Sequence, residues 1–165
     1  MPFHLPRRHF LMTASAASAA LLLPRGARAQ ETLQIEMLNR HPEDRTNMVF
    51  YPDIIVAQPG DTVRFVATDR GHNTVSVDGM LPEGVEEWRG RINEEIELTV
   101  ETPGFYGYVC QPHVSMGMAG IIVVEGEGKM DNYEAAKSVQ HRPRRLQEKF
   151  NALFAQIEAD GLAST

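Results

Sequence analysis

Between residues 32 and 125 the apolar residues come in short runs, and nearly every run is closed by glycine, proline or a polar cluster. That punctuation limits what the segment can become. Leu33, Ile35 and Met37 alternate with Gln34, Glu36 and Leu38, the period of two that turns one side of a strand toward a core. Ile96, Leu98 and Val100 repeat it, and Pro103-Gly104 leads into Phe105-Tyr106-Gly107-Tyr108-Val109-Cys110. Residues 75–77 make a shorter piece, and residues 119–124 a continuous apolar run. A strand-like stretch over residues 54–68 is interrupted by Gln58-Pro59-Gly60-Asp61, which reads as a bend that does not end the sheet. Short strands joined by tight turns, with no strand–helix–strand rhythm, predict an all-β sandwich.

From Asp131 onward the period changes. Asp131 or Asn132 can cap a short helix over residues 133–139, since both side chains accept from free N–H groups of a first turn. Pro143 suits the start of a second helix. Leu146, Phe150, Phe154 and Ile157 fall on one face of it, with Leu153 beside them, a stripe that belongs against a core. Residues 129–165 are therefore read as a helical extension packed on the sandwich domain of residues 30–128, with residues 126–129 a hinge too short to separate two domains.

The first 29 residues read as a leader. Arg7 and Arg8 precede Phe10 and Leu11, a weakly apolar stretch covers residues 12–23, and Ala27-Arg28-Ala29 has the form of a cleavage site. This is the layout of a twin-arginine export signal cut after Ala29. A membrane anchor is the competing reading, but about 20 consecutive apolar residues are needed to span a bilayer. Removing four arginines and no acids makes a chain of formal charge −6 more acidic still. No long basic run remains, which argues against a nucleic-acid partner.

One cysteine in an exported chain cannot close an internal disulfide, so Cys110 is either buried and inert or held by something. Its surroundings favour the second. Cys110-Gln111-Pro112-His113-Val114-Ser115-Met116-Gly117-Met118 carries Cys, His and Met as C-x2-H-x4-M directly after a predicted strand, and His72 lies upstream, also just past one. Two imidazoles, a thiolate and a distant thioether are the donors of a blue copper centre. The soft thiolate suits Cu(I), imidazole suits both oxidation states, and a weak axial thioether keeps the geometries of the two close. His41 and His141 have no partner at ligand spacing, Met80 and Met116 read as packing or surface contacts, and Trp88 as a partly buried anchor.

Several motifs together resemble the pseudoazurins: Asp69-Arg70-Gly71-His72-Asn73, Gly79-Met80-Leu81-Pro82-Glu83-Gly84, Ile92-Asn93-Glu94 and the C-x2-H-x4-M loop. The similarity begins near Ile35-Glu36-Met37-Leu38-Asn39, includes Met48-Val49-Phe50 and Pro59-Gly60-Asp61-Thr62-Val63, and runs through both C-terminal helices. It implies a Greek-key sandwich or barrel of the cupredoxin type, with copper held by His72, Cys110, His113 and Met118. It implies that Asn73 ties the two ligand loops together, and that His113 meets the surface inside an apolar patch of Met48, Pro112 and Met116. The function implied is that of a periplasmic one-electron carrier, not an enzyme, serving redox partners such as copper nitrite reductase. A basic collar of Arg40, Arg70, Arg89 and Arg91 stands where the family carries lysines, thinned by Val109, Asp78 and Glu87. Two other readings compete. A copper-delivery protein calls for a Met- or His-rich cluster, of which the sequence offers only Met116 and Met118. A multicopper oxidase or nitrite reductase calls for His-x-His pairs or a second such domain, and the chain has neither.

Overall fold

The alternating runs fold as strands with their apolar side inward. A computed structural model describes residues 28–164; the twin arginines and the apolar stretch of the leader lie outside the described residues. The strands are β1 (Thr32–Arg40), β2 (Asn47–Tyr51), β3 (Ile54–Ala57), β4 (Asp61–Val66), β5 (Val75–Ser76), β6 (Ile96–Val100), β7 (Gly104–Val109) and β8 (Ala119–Val124). They form two four-stranded sheets, in the orders β2-β1-β4-β6 and β3-β8-β7-β5. β1 with β4 and β3 with β8 pair in parallel, and the remaining neighbours are antiparallel. The expected β-sandwich is the fold. Ile35 and Met37 of β1, Val63 and Phe65 of β4, and Tyr106, Tyr108 and Ile122 of the second sheet share its inner layer.

β2 carries no alternating signature, because Val49 and Phe50 are both buried. The turn at Gln58-Pro59-Gly60-Asp61 differs from its sequence reading in a more consequential way. It does not bend one sheet; it carries the chain from β3 in one sheet to β4 in the other. Gly60 makes the corner at φ 91°, a backbone state that glycine enters without Cβ strain. The buried Asp61 carboxylate holds it, accepting from the N–H groups of Gln58 at 2.8 Å and Glu31 at 3.0 Å.

β7 and β8 are buried on both sides because two helices cover the outer face. Phe105, Ile121 and Val123 point away from the sandwich interior and pack with Tyr133 and Ala136 of α1 (Tyr133–Ser138). Leu146, Phe150, Leu153, Phe154 and Ile157 of α2 (Arg144–Ala159) complete this second core. The helical stripe read from spacing is thus the buried face, each large side chain contributing about 1.5–3 kcal/mol of transfer free energy. Asn132 stands at the cap position of α1 without capping it through its side chain. Its amide instead accepts from Phe105 N at 3.0 Å and donates to Phe105 O at 2.7 Å. The unpaired edge of a strand offers Asn132 two partners where a helix end would offer one, and the helix is tied to β7 as a result.

Candidate metal centre

Strand alternation aims Cys110. Tyr106 and Tyr108 face the inner layer, and two residues on, just past the end of β7, the Cys110 side chain faces it too. The chain then tightens into a 3-10 segment, Gln111–Met116, which carries His113 and closes on Gly117. Gly117 is required there twice over: its φ is 82°, and a Cβ on it would come within 2.9 Å of the Arg145 carbonyl of α2. The loop is sewn to itself by His113 N to Cys110 O at 3.0 Å, Met118 N to His113 O at 3.3 Å and Cys110 N to Met118 O at 3.0 Å. Met118, buried, enters the same core as Cys110.

His72 arrives from the loop after β4 at the same pole. Cys110 Sγ lies 3.6 Å from His72 Nδ1 and 3.3 Å from His113 Nδ1. The three donor atoms fall within 4.8 Å of one another, the only such group among the described residues. The two imidazole rings stand 4.8 Å apart between centroids. Sequence spacing alone could not show that the loop at residue 72 and the loop at residue 113 open at one end of the sandwich; the structure brings them together. One thiol and two imidazoles facing a common point, with a thioether in the same buried layer, fit copper by donor chemistry.

Hydrogen bonds fix the orientation of these side chains. His72 Nε2 lies 3.0 Å from Asn39 Oδ1. An amide oxygen only accepts, so Nε2 carries the proton and the lone pair of Nδ1 faces the sulfur. Asn39 is itself placed by its backbone N–H, which donates to Asp69 at 2.7 Å. Asn73 bridges the loops, accepting from Gln111 N at 2.9 Å and donating to Gly90 O at 3.0 Å. The turn of Ile92-Asn93-Glu94 backs His72: Asn93 N donates to His72 O and its side chain accepts from Gly71 N, both at 2.7 Å.

Burial pushes the Cys110 thiol up from its ordinary value, against the pull of the Asn73 and His113 N–H groups on the sulfur. Burial also lowers His72, with the neighbouring His113 adding to it and Asp69 opposing. Both donors are thus neutral near pH 7 when nothing is bound, and a cation is what would stabilise the thiolate.

His72, Cys110 and Met118 are closed to solvent, while His113 is half-buried. Around it Pro112 and Met116 are exposed and Met48 is half-buried. Arg40, Arg70, Arg89 and Arg91 are all exposed, and Arg89 donates to Gln111 Oε1 at 2.7 Å, which sets it against the start of the 3-10 segment. His41 accepts from Glu43 N and Asp44 N, His141 stacks on Phe150 at 4.3 Å, and neither joins the His72, Cys110 and His113 group. Two features escaped the sequence reading. Asn39 is a central orienting group without a recognisable spacing to His72, and Arg145 and Lys149 of α2 line a cleft together with Met48 and Met116.

Comparison with known proteins agrees with this geometry. Residues 37–125 match the model of the copper binding proteins, plastocyanin/azurin family. The chain is 41% identical over 149 residues to a pseudoazurin of Paracoccus pantotrophus, covering 90% of this chain and 97% of the relative. It is 38% identical over 148 residues to a pseudoazurin of Methylorubrum extorquens, covering 90% and 96%. Among solved structures, a pseudoazurin from Sinorhizobium meliltoi superposes with a TM-score of 0.73 at 47% identity, covering 79% of this chain and 98% of that one. Copper is the cofactor these relationships attach to the fold, and the chain belongs to the pseudoazurins, within the copper-binding plastocyanin/azurin family.

Proposed function

We propose that this chain is a periplasmic one-electron carrier whose single type 1 copper is held by His72, Cys110, His113 and Met118. One observation carries the reading: two imidazole Nδ1 atoms converge on one buried thiol sulfur, and of these donors only His113 reaches toward solvent. Copper would supply the redox chemistry, cycling between Cu(I) and Cu(II). The protein's part is to hold still. Asn39 fixes the His72 tautomer, Asn73 joins the two loops, and the backbone bonds among Cys110, His113 and Met118 resist any change of loop shape. Donors that cannot rearrange suit an electron transfer in which little needs to move. Burial of His72, Cys110 and Met118 excludes water, and the edge of His113 offers the short way out.

The partner follows from the surface around that edge. Met48, Pro112 and Met116 supply an apolar contact, and Arg40, Arg70, Arg89 and Arg91 a positive rim on an otherwise acidic chain. Such a surface suits an acidic redox protein, for example a copper nitrite reductase or another periplasmic reductase. Exported, the mature chain would begin at Gln30.

The test is the visible and paramagnetic resonance spectrum of the chain after addition of Cu(II). The expected result is an intense blue band that bleaches with ascorbate and returns on oxidation. A colourless or weakly coloured product would overturn the carrier reading and leave copper delivery in its place.

A further inference from the structure

Among the described residues there are six methionines, and three of them, Met48, Met116 and Met118, line one cleft beside the metal centre. The others are accounted for by packing: Met37 and Met80 are fully buried, and Met130 lies against the second core. The cleft has a volume of about 300 Å³ and runs between residues 46–50, the end of the 3-10 segment and α2, with Arg145, Glu148 and Lys149 on its helical wall. Exposure falls along it, from Met116 at 40% through half-buried Met48 to Met118 at 1%. Because His72 and Cys110 are closed to solvent, an incoming ion must be passed inward by groups nearer the surface. On this side of the centre those groups are thioethers.

The geometry points to a transient Cu(I) site at Met48 and Met116, through which copper enters the buried centre; this rests on the copper-centre reading above. Thioether sulfur is a soft donor that selects Cu(I) and is a poor partner for Zn(II) or hydrated Cu(II). The wall adds a second filter. Arg145 and Lys149 are cationic; Glu148 is paired with Arg144 at 3.5 Å and Lys149 with Asp53 at 2.5 Å, which leaves Arg145 outside both pairs. Whatever positive potential remains acts on a divalent ion twice as strongly as on a monovalent one. That matters because Zn(II) accepts the same His and Cys donors. No electron moves in the proposed step. A Cu(I)–thioether bond is exchanged for a Cu(I)–thiolate bond at Cys110, and the thiol proton leaves to solvent.

The test uses the metal-free chain and a Met48→Leu/Met116→Leu variant. Leucine keeps volume and, unbranched at Cβ, should fit the positive φ of Met48 (55°) about as methionine does. Uptake of Cu(I) from its bicinchoninate complex, followed by stopped flow, should slow by about tenfold or more in the variant, the scale on which groups outside a ligand set act. Uptake of Zn(II) should keep its wild-type rate. In addition, one equivalent of Ag(I), a redox-inert soft ion, added to the Cu(I)-loaded wild type should shift the methyl resonances of Met48 and Met116 and leave those of Met37, Met80 and Met130 in place. Equal Cu(I) rates in the two proteins would overturn the proposal. So would a slowing of Cu(I) and Zn(II) alike, which would reduce the pair to packing groups. A wild-type chain that fails to turn blue with Cu(II) would instead sink the type 1 copper-centre reading on which this proposal rests, so the two failures are distinguishable.

Discussion

β7 and β8 each look two ways, and the two sides are built from much the same residue types. Toward the first sheet they present Tyr106, Tyr108, Ile122 and Val124; toward the helices, Phe105, Ile121 and Val123. Only the first side ends in chemistry. There Tyr108 is wedged between Phe50 at 4.8 Å and Phe65 at 5.0 Å, edge to face, an arrangement that adds direction to burial. Cys110 continues that row and inherits a backing that neither slides nor tilts. The helical side packs through the α2 stripe and meets the loop of the centre only from behind, with Val114 against the second core and Gly117 beneath the Arg145 carbonyl. Sheet-on-sheet packing fixes the donors, and helix-on-sheet packing supplies stability and one wall of the methionine cleft. The two layers should therefore be separable by mutation.

The largest effect should come from Cys110→Ala, which removes the thiolate. The blue band should vanish entirely, while the unfolding free energy of the metal-free protein, from its urea titration, changes by no more than about 1 kcal/mol, the scale of one small buried group. Phe154→Ala should do the converse. Deleting a buried aromatic ring from the helical core costs about 3–5 kcal/mol, read as a lower urea midpoint with the absorption spectrum of the copper-loaded protein unchanged. A Phe154 variant with a shifted spectrum would show that the helical layer shapes the centre as well, and the separation would fail.

A smaller effect sharpens the boundary from the sheet side. Asn39→Ala leaves His72 in place but frees its outer nitrogen, so the ring can turn and the tautomer is no longer fixed. Copper affinity, measured by competition with a chelator, should fall by about 10–100-fold, with stability in the metal-free state nearly constant. Wild-type affinity in this variant would assign Asn39 to packing alone.

How far the sequence could be read depended on whether a feature was local. Alternation in β1 and β6 and the α2 stripe were legible because period alone sets which side chains turn inward. The C-x2-H-x4-M loop was legible because its three residues sit in one short segment whose spacing mirrors its shape. Asn39 was not, since its bond to His72 spans 33 positions and nothing in either segment encodes the other. The sheet change at Gly60-Asp61 was misread for a related reason. A turn signal states that the chain reverses, while which sheet receives the next strand is decided by pairing with β1 and β6. Asn132 was misread because the unpaired edge of β7 at Phe105 competes for an amide that a helix end would otherwise take.

The smallest expected effect belongs to His141, which marks the outer edge of the helical layer. Its ring stacks on Phe150 with centroids 4.3 Å apart, and its backbone N–H donates to Gln147 Oε1 at 2.7 Å. Burial lowers its pKa from the ordinary histidine value of 6.5. The folded state thus holds the ring neutral where the unfolded chain would protonate it, and stability must rise with pH through that interval. The contribution is complete above about pH 6.5 and is lost as the pH falls from there toward the lowered folded value. His72 is lowered in the same direction, so the total pH dependence cannot be assigned to His141 from the wild type alone. His141→Phe keeps a ring on Phe150 and removes the proton, and the centre, common to both proteins, cancels in their difference. The unfolding free energy of the variant, from its urea titration, should gain on wild type as the pH drops from 7 to 5.5, with a slope below the roughly 1.4 kcal/mol per unit of one whole proton. A difference that stays constant with pH would mean that His141 titrates alike in the folded and unfolded chain, and that the helical layer is open to water at this edge.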